Sequence, residues 1–194
     1  TEAVFSHPSL MSTAESVALV KKELTKEQAL IGFAGAPWTL ASYMIEGQSS
    51  RQFLNVQAIL NKDPLWFADF MHLLQQLTSK YLSYQLEAGA DILMLFDSWA
   101  GQLSDEQYQR HVLPTMKELF KSLKAFNKPI ILYSGEGSQR LYHLDSLRPE
   151  VIAVDWRVSL SQAVASSGLL ASEYCWQGNL EPQILSWADE ETVR

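Results

Sequence analysis

Five short apolar runs punctuate the chain: Ala29–Ala36 (ALIGFAGA), Ala90–Asp97 (ADILMLFD), Pro129–Ser134 (PIILYS), Val151–Trp156 (VIAVDW) and Tyr174–Leu180 (YCWQGNL). Each is too short for a free-standing helix, and each closes on or beside Gly, Ser, Asp or Asn. Runs this continuously apolar predict strands buried on both faces, as in a parallel sheet. Between them the period changes. From Pro64 to Ala88, the residues Trp66, Phe70, Leu73, Leu74, Leu77, Tyr81 and Tyr84 recur at three- and four-residue spacing. They predict one buried face of a long helix, with Asp63 as N-cap, Pro64 at its first position and Gly89 closing it. Ser104–Phe126 predicts a second long helix, capped by Ser104 with Asp105 and Glu106 in the first turn. Gln139–Leu147, Ser159–Ser167 and Pro182–Val193 predict shorter ones, and Cys175 is expected mid-strand as a small core hydrophobe.

Strands alternating with helices over short links imply right-handed crossovers and parallel pairing. A doubly wound sheet and a (β/α)8 TIM-type barrel both satisfy that order. No Gly-rich dinucleotide or phosphate loop follows any of the strands, so the main signature of nucleotide-binding doubly wound folds is missing. Polar residues collect instead at the strand C-terminal ends: Ser98, then Ser134 and Glu136, Asp155 and Arg157, Gln177 and Asn179. In barrel enzymes that face carries the active site. The expected fold class is therefore α/β of the (β/α)8 TIM-barrel type. About five of the eight units are present, and residues 1–194 form one partial barrel domain without repeat or linker.

Composition narrows the function classes. With 194 residues, 47% of them hydrophobic, the chain can bury a sizeable core and is no disordered or disulfide-stapled sequence. The longest aliphatic and aromatic run, Ile92–Phe96, falls far short of the roughly 20 residues of a membrane span. A net charge of −7 argues against a general nucleic-acid binder. The single cysteine and the lack of an export signal point to a reducing, cytoplasmic setting.

The most informative segment is Ile31–Gly47, IGFAGAPWTLASYMIEG. A strand delivers Phe33, Ala34 and Gly35, Pro37 stops it, and Thr39 is expected to cap a short helix holding Tyr43. Two glycines and two alanines beside a strand end mean either tight strand–helix packing or a backbone approached by something large. This stretch, with Phe96-Asp97-Ser98-Trp99-Ala100-Gly101, PIILYSGEG, Val154–Val158 and Gln177-Gly178-Asn179-Leu180-Glu181-Pro182 in the same order and spacing, closely resembles the uroporphyrinogen decarboxylase family from Ala29 onward.

The resemblance implies a cofactor-free carboxy-lyase of haem biosynthesis with a barrel fold, usually a homodimer. Such an enzyme removes the four acetate carboxyls of uroporphyrinogen III to give coproporphyrinogen III. The reaction protonates a pyrrole carbon and then passes through a cationic ring, so carboxylates need donors and the ring needs a nearby anion. Tyr43 matches the family's substrate-contacting tyrosine and Ser98 its binding serine; a packing tyrosine and a helix-capping serine are the plain alternatives. Phe33 and Phe96 either line the cleft against the macrocycle or belong to ordinary barrel core. Asp155 is expected to pair with Arg157, and Gln177 and Asn179 to satisfy loop backbone. His7, His72, His111 and His143 match no functional histidine of the family. Gly135 stands where relatives generally carry lysine, and Arg157 where a small polar residue is commoner; both sit where they could retune the mouth of the cleft.

The family's N-terminal arginine motif, its pyrrole-facing aspartate and its C-terminal histidine have no counterpart within Thr1–Arg194, and the six arginines do not cluster. The 194 residues alone are therefore expected to be inactive. A corrinoid- or thiol-dependent methyltransferase shares the barrel, but its zinc needs at least three soft ligands, which one Cys and scattered His do not supply. A non-catalytic barrel fragment is the remaining alternative.

Overall fold

A computed structural model describes residues 7–48, 50, 52–135, 143, 145–167 and 173–189. Five parallel strands, β1 (Ile31–Gly35), β2 (Ile92–Asp97), β3 (Ile130–Ser134), β4 (Val151–Ala153) and β5 (Cys175–Gln177), form one sheet in the order β1-β2-β3-β4-β5. Every strand thus pairs with its successor. A doubly wound sheet reverses its strand order at a switch point; this one does not, and sequential order with intervening helices is the topology of the (β/α)8 barrel. The described residues carry five of its strand units.

Helix α1 (Pro8–Glu23) precedes β1, and α2 (Pro37–Glu46), α3 (Leu54–Lys62) and α4 (Pro64–Glu87) connect β1 to β2. A 3-10 turn (Ala100–Gln102), α5 (Asp105–His111) and α6 (Leu113–Lys124) lead to β3; α7 (Leu160–Ser167) lies between β4 and β5, and α8 (Ile184–Trp187) follows. The caps explain several boundaries. The Asp63 carboxylate accepts from the Trp66 N–H at 3.1 Å, and Pro64 opens α4; past its end, Gly89 takes φ 113°. Ser104 and Gln107 form a reciprocal capping box at the start of α5.

The predicted Ser104–Phe126 helix is two helices. Val112 interrupts the helix at φ −112°, and Pro114, which lacks an N–H, sits in the first turn of α6. On α4 the buried residues are Phe67, Met71, Leu74, Gln75, Thr78, Leu82, Ser83 and Gln85, so the buried face is rotated from the predicted one; Trp66 is 47% exposed. Thr39 lies within α2 rather than capping it, and Ala36 is the N-cap. The Gln139–Leu147 helix falls mostly outside the described residues, as does the end of Pro182–Val193.

The expectation of strands buried on both faces fails at the sheet edges. The core lies between the sheet and its helices, with Leu93, Leu95, Ile130 and Leu132 packed with Phe67, Met71, Met116, Leu119 and Phe120. The opposite face is open at β1, where Ile31 and Phe33 are exposed, and β5 buries neither Cys175 nor Gln177. Cys175 is thus an exposed edge residue, not a core hydrophobe.

Edge strands leave backbone groups without a ladder partner. On β1 this is solved by Gln85 of α4: its Oε1 accepts from the Phe33 N–H at 2.9 Å and its Nε2 donates to the Phe33 carbonyl at 3.0 Å. A buried carboxamide thus partners both backbone groups of Phe33. Ahead of β1, Asp91 accepts from Lys21 at 2.5 Å and from the Leu30 N–H at 2.8 Å; these partners, Lys21 first, hold its carboxyl below the usual range.

Gln85→Leu keeps the side-chain bulk and removes both bonds, leaving two backbone groups unpaired. The unfolding free energy is expected to fall by about 2 kcal/mol or more in urea titration, while an unchanged midpoint would mean that water serves the strand equally well.

Candidate functional site at the strand ends

The C-terminal ends of β1, β2 and β3 lie side by side. The Ala36 N–H donates to the Phe96 carbonyl at 2.9 Å, and the Gly135 N–H to the Asp97 carbonyl at 3.1 Å. Register places Gly35 beside Phe96, Phe96 beside Tyr133 and Asp97 beside Ser134. Side chains alternate across this rim. Leu93, Leu95 and Asp97 point to the helices, and Phe96 lies on the open face.

An aromatic strip runs over that open face. The Phe33 and Phe96 rings meet edge-on at 5.9 Å, and Phe96 meets Tyr133 at 5.8 Å. Phe33 is 59% exposed on this open face, where either alternative, cleft lining or barrel core, would place it. Tyr133 was not singled out in the sequence; its place opposite Phe96 across a parallel pair was the available signal. Tyr43, 41% exposed on α2, packs edge-on against Trp99 at 6.0 Å and Phe53 at 6.4 Å. Among the described residues its hydroxyl has no hydrogen-bond partner, so the tyrosine presents a free donor at the rim. Ser98 is half-buried in the turn after β2 and caps no helix; Trp99 is the N-cap of the 3-10 turn.

Behind the rim sits a buried polar group absent from the sequence reading. Asp97 is 1% exposed; its Oδ2 accepts from the Tyr108 hydroxyl at 3.1 Å, and its Oδ1 lies 3.4 Å from the Thr39 hydroxyl. Tyr108 stacks on His143, whose Nε2 is 2.7 Å from Asp105. The Trp38 indole N–H donates to the Trp99 carbonyl at 2.8 Å.

At the ends of β4 and β5, Asp155 is held by Arg157 through Nη1 at 2.7 Å and the backbone N–H at 2.9 Å, as the ion-pair reading expects. Arg157 also lies over the Trp156 ring. The Asn179 side chain donates to the Asp155 and Val158 carbonyls and so serves the loop backbone; Gln177 is exposed. Glu136 is outside the described residues. The histidines have separate local surroundings: His7 caps α1, His72 meets Glu118 on the surface, and His143 is buried against Tyr108. Burial, with Arg110 beside it, lowers the His111 pKa. Among the described residues no three His, Cys, Asp or Glu side chains are grouped to hold a metal.

Gly135 has a steric reason. A Cβ there would stand 2.4 Å from the Ser98 carbonyl oxygen, so a lysine at this position requires that carbonyl to move.

A family model described as uroporphyrinogen decarboxylase (URO-D) matches residues 2–194. The chain belongs to the uroporphyrinogen decarboxylase family. Relatives named uroporphyrinogen decarboxylase include that of Koribacter versatilis, 42% identical over 175 residues, covering 89% of this chain and 48% of the relative. That of Streptomyces coelicolor is 40% identical over 187 residues, covering 93% of this chain and 52% of its own length. The chain thus spans about half the length of the curated relatives it matches. Among solved structures, a methyltransferase from Methanosarcina mazei superposes with TM-score 0.73 at 16% identity, covering 86% of this chain and 47% of that one. At that identity the likeness concerns the fold alone.

Gly135→Ala is expected to displace the Ser98 turn and to lower the unfolding free energy by about 1–3 kcal/mol, read by thermal or urea melts. A variant as stable as the parent would show that the two strand ends can separate freely.

Proposed function

We propose that this chain supplies the substrate-binding rim of a uroporphyrinogen decarboxylase acting on the acetate side chains of uroporphyrinogen III, with coproporphyrinogen III as product. The observation that carries the reading is the pairing of an aromatic strip with free hydroxyls at the strand ends. Phe33, Phe96 and Tyr133 offer an apolar wall to a large ring. Tyr43 and Ser98 stand beside it, on α2 and just past β2, where their hydroxyls suit acetate carboxylates.

The roles follow from the chemistry. A pyrrole carbon is protonated, the ring becomes cationic, the acetate loses carbon dioxide to leave an exocyclic methylene, a second proton converts that carbon to methyl, and the ring carbon gives back the first proton to restore the pyrrole. Tyr43 and Ser98 orient the leaving carboxylate; the aromatic wall excludes water and fixes the plane of the macrocycle. A substrate with eight carboxylates needs cations, and this chain is acidic overall at −7. The reading therefore assigns the carboxylate-gripping arginines and the ring-facing anion to segments that the relatives carry outside the matched span. It makes the 194 residues inactive on their own, requires no cofactor, and fits a cytoplasmic homodimer. No helix among the described residues is long and apolar enough to cross a membrane.

The first test is turnover of uroporphyrinogen III, followed by porphyrin chromatography after oxidation. The natural polypeptide carrying these residues is expected to convert it and the isolated 194 residues are not; conversion by the isolated chain would remove the need for outside arginines. In the active polypeptide, Tyr43→Phe is expected to lower kcat/KM about tenfold to a hundredfold, the worth of one hydrogen bond to a charged group, with an unchanged melting temperature. A variant that melts several degrees lower yet turns over normally would make Tyr43 a packing residue.

A further inference from the structure

The helix bearing Tyr43 and the strand end bearing Ser98 are joined at two points that straddle Ser98. On one side, the Asp97 carboxylate faces the Thr39 hydroxyl at 3.4 Å; on the other, the Trp99 carbonyl accepts from Trp38 at 2.8 Å. Thr39 and Tyr43 stand one turn apart on α2, at the four-residue spacing that puts two side chains on one helix face. Asp97 is bonded in sequence to Ser98. The distance between the two hydroxyls at the rim is therefore set through Asp97.

We propose that Asp97 is a positioning residue of this site, acting through Thr39 on Tyr43 and through the β2 backbone on Ser98, with Tyr108 holding its second oxygen. The inference rests on the decarboxylase reading for its substrate, but its geometry does not. Asp97 points to the helices, not to the open face, so it touches no substrate. Its carboxylate is 1% exposed, and a buried charge keeps its place only when its oxygens have partners. Tyr108 supplies one at 3.1 Å from α5. That helix is itself braced: the Tyr108 ring stacks on His143 at 6.1 Å, and His143 reaches Asp105 in the same helix at 2.7 Å. Three elements, β2, α2 and α5, thus converge on one side chain. Donors that must meet a carboxylate in a fixed orientation gain from such support, because a displacement of about 1 Å can cost a hundredfold in rate.

The decisive variant is Tyr108→Phe. It removes the hydroxyl that donates to Asp97 and keeps the ring, and among the described residues Tyr108 makes no ring contact with Tyr43. In the natural polypeptide labelled with 3-fluorotyrosine, the Tyr43 fluorine signal, assigned by its loss in Tyr43→Phe, is expected to shift in Tyr108→Phe. The same variant is expected to raise KM for uroporphyrinogen III about tenfold. Thr39→Val is expected to raise KM similarly and Thr39→Ser to recover most of the loss, a pattern that a general loss of stability would not give. An unshifted Tyr43 signal in Tyr108→Phe overturns the proposal whatever the kinetics, as does a shifted signal with wild-type kcat and KM. If the wild-type polypeptide leaves uroporphyrinogen unconverted while the signal shifts, the decarboxylase reading falls and the control of Tyr43 by Asp97 stands.

Discussion

Placing a carboxylate between a sheet and its helical cover costs several kcal/mol unless its oxygens are partnered, and Asp97 occupies such a place at the end of β2. Its neighbours in the same alternation, Leu93 and Leu95, are ordinary core residues. The polar exception therefore falls at the one position in β2 where the core gives way to the rim. Its two oxygens face α2 and α5, so the tilt of both helices is tied to the requirement that this charge be satisfied. The aromatic residues beyond it, Trp99, Tyr43 and Phe53, then pack on elements whose relative position is already fixed.

The same economy of partners governs the opposite side of the sheet. β1 is an edge strand, and its Phe33 backbone would have no ladder bonds there. Gln85 supplies both. Because this carboxamide comes from α4, the helix is pinned to the strand by polar contacts as well as by Phe67, Met71 and Leu74. The requirement explains the burial of Gln85, and Gln75, Thr78 and Ser83 are buried on the same helix while its large residues Trp66 and Leu73 remain exposed. Hydrophobic spacing alone selects the wrong stripe here, since the buried face is partly polar.

That contrast marks what could be read from the residues alone. The positions of the five strands and the starts of α4 and α5 were legible because they depend on local signals: short apolar runs, Asp63-Pro64, Ser104 with Asp105 and Glu106. The choice of buried face was not, because β1 and β2 are apolar at nearly every position and their alternation is hidden. The break at Val112 was signalled by Pro114, two residues later, but the periodicity of the following helix masked it. Cys175 was misplaced because burial of a strand depends on its position in the sheet, which its own residues do not encode. Tyr43, Ser98, Phe33 and Phe96 were singled out beside the resemblance; Phe33 and Phe96 meet edge-on, and Tyr43 packs on Trp99, which follows Ser98. Asp97 lay inside a quoted motif yet was passed over, since only three-dimensional burial distinguishes it from Ser98 beside it.

Gly135 is best understood from Ser98. A glycine after β3 lets the Ser98 carbonyl approach to where any Cβ would collide with it. A chain with lysine at that place must turn its β2 end differently, and its serine hydroxyl turns with the backbone. The two positions are therefore one choice of geometry: the absence of a cation at 135 and the orientation of Ser98 are linked sterically. The nearby Arg157 guanidinium is engaged by Asp155 and lies over Trp156. Among the described residues, then, the end of β3 shapes the rim through the close approach of Gly135 to the Ser98 carbonyl.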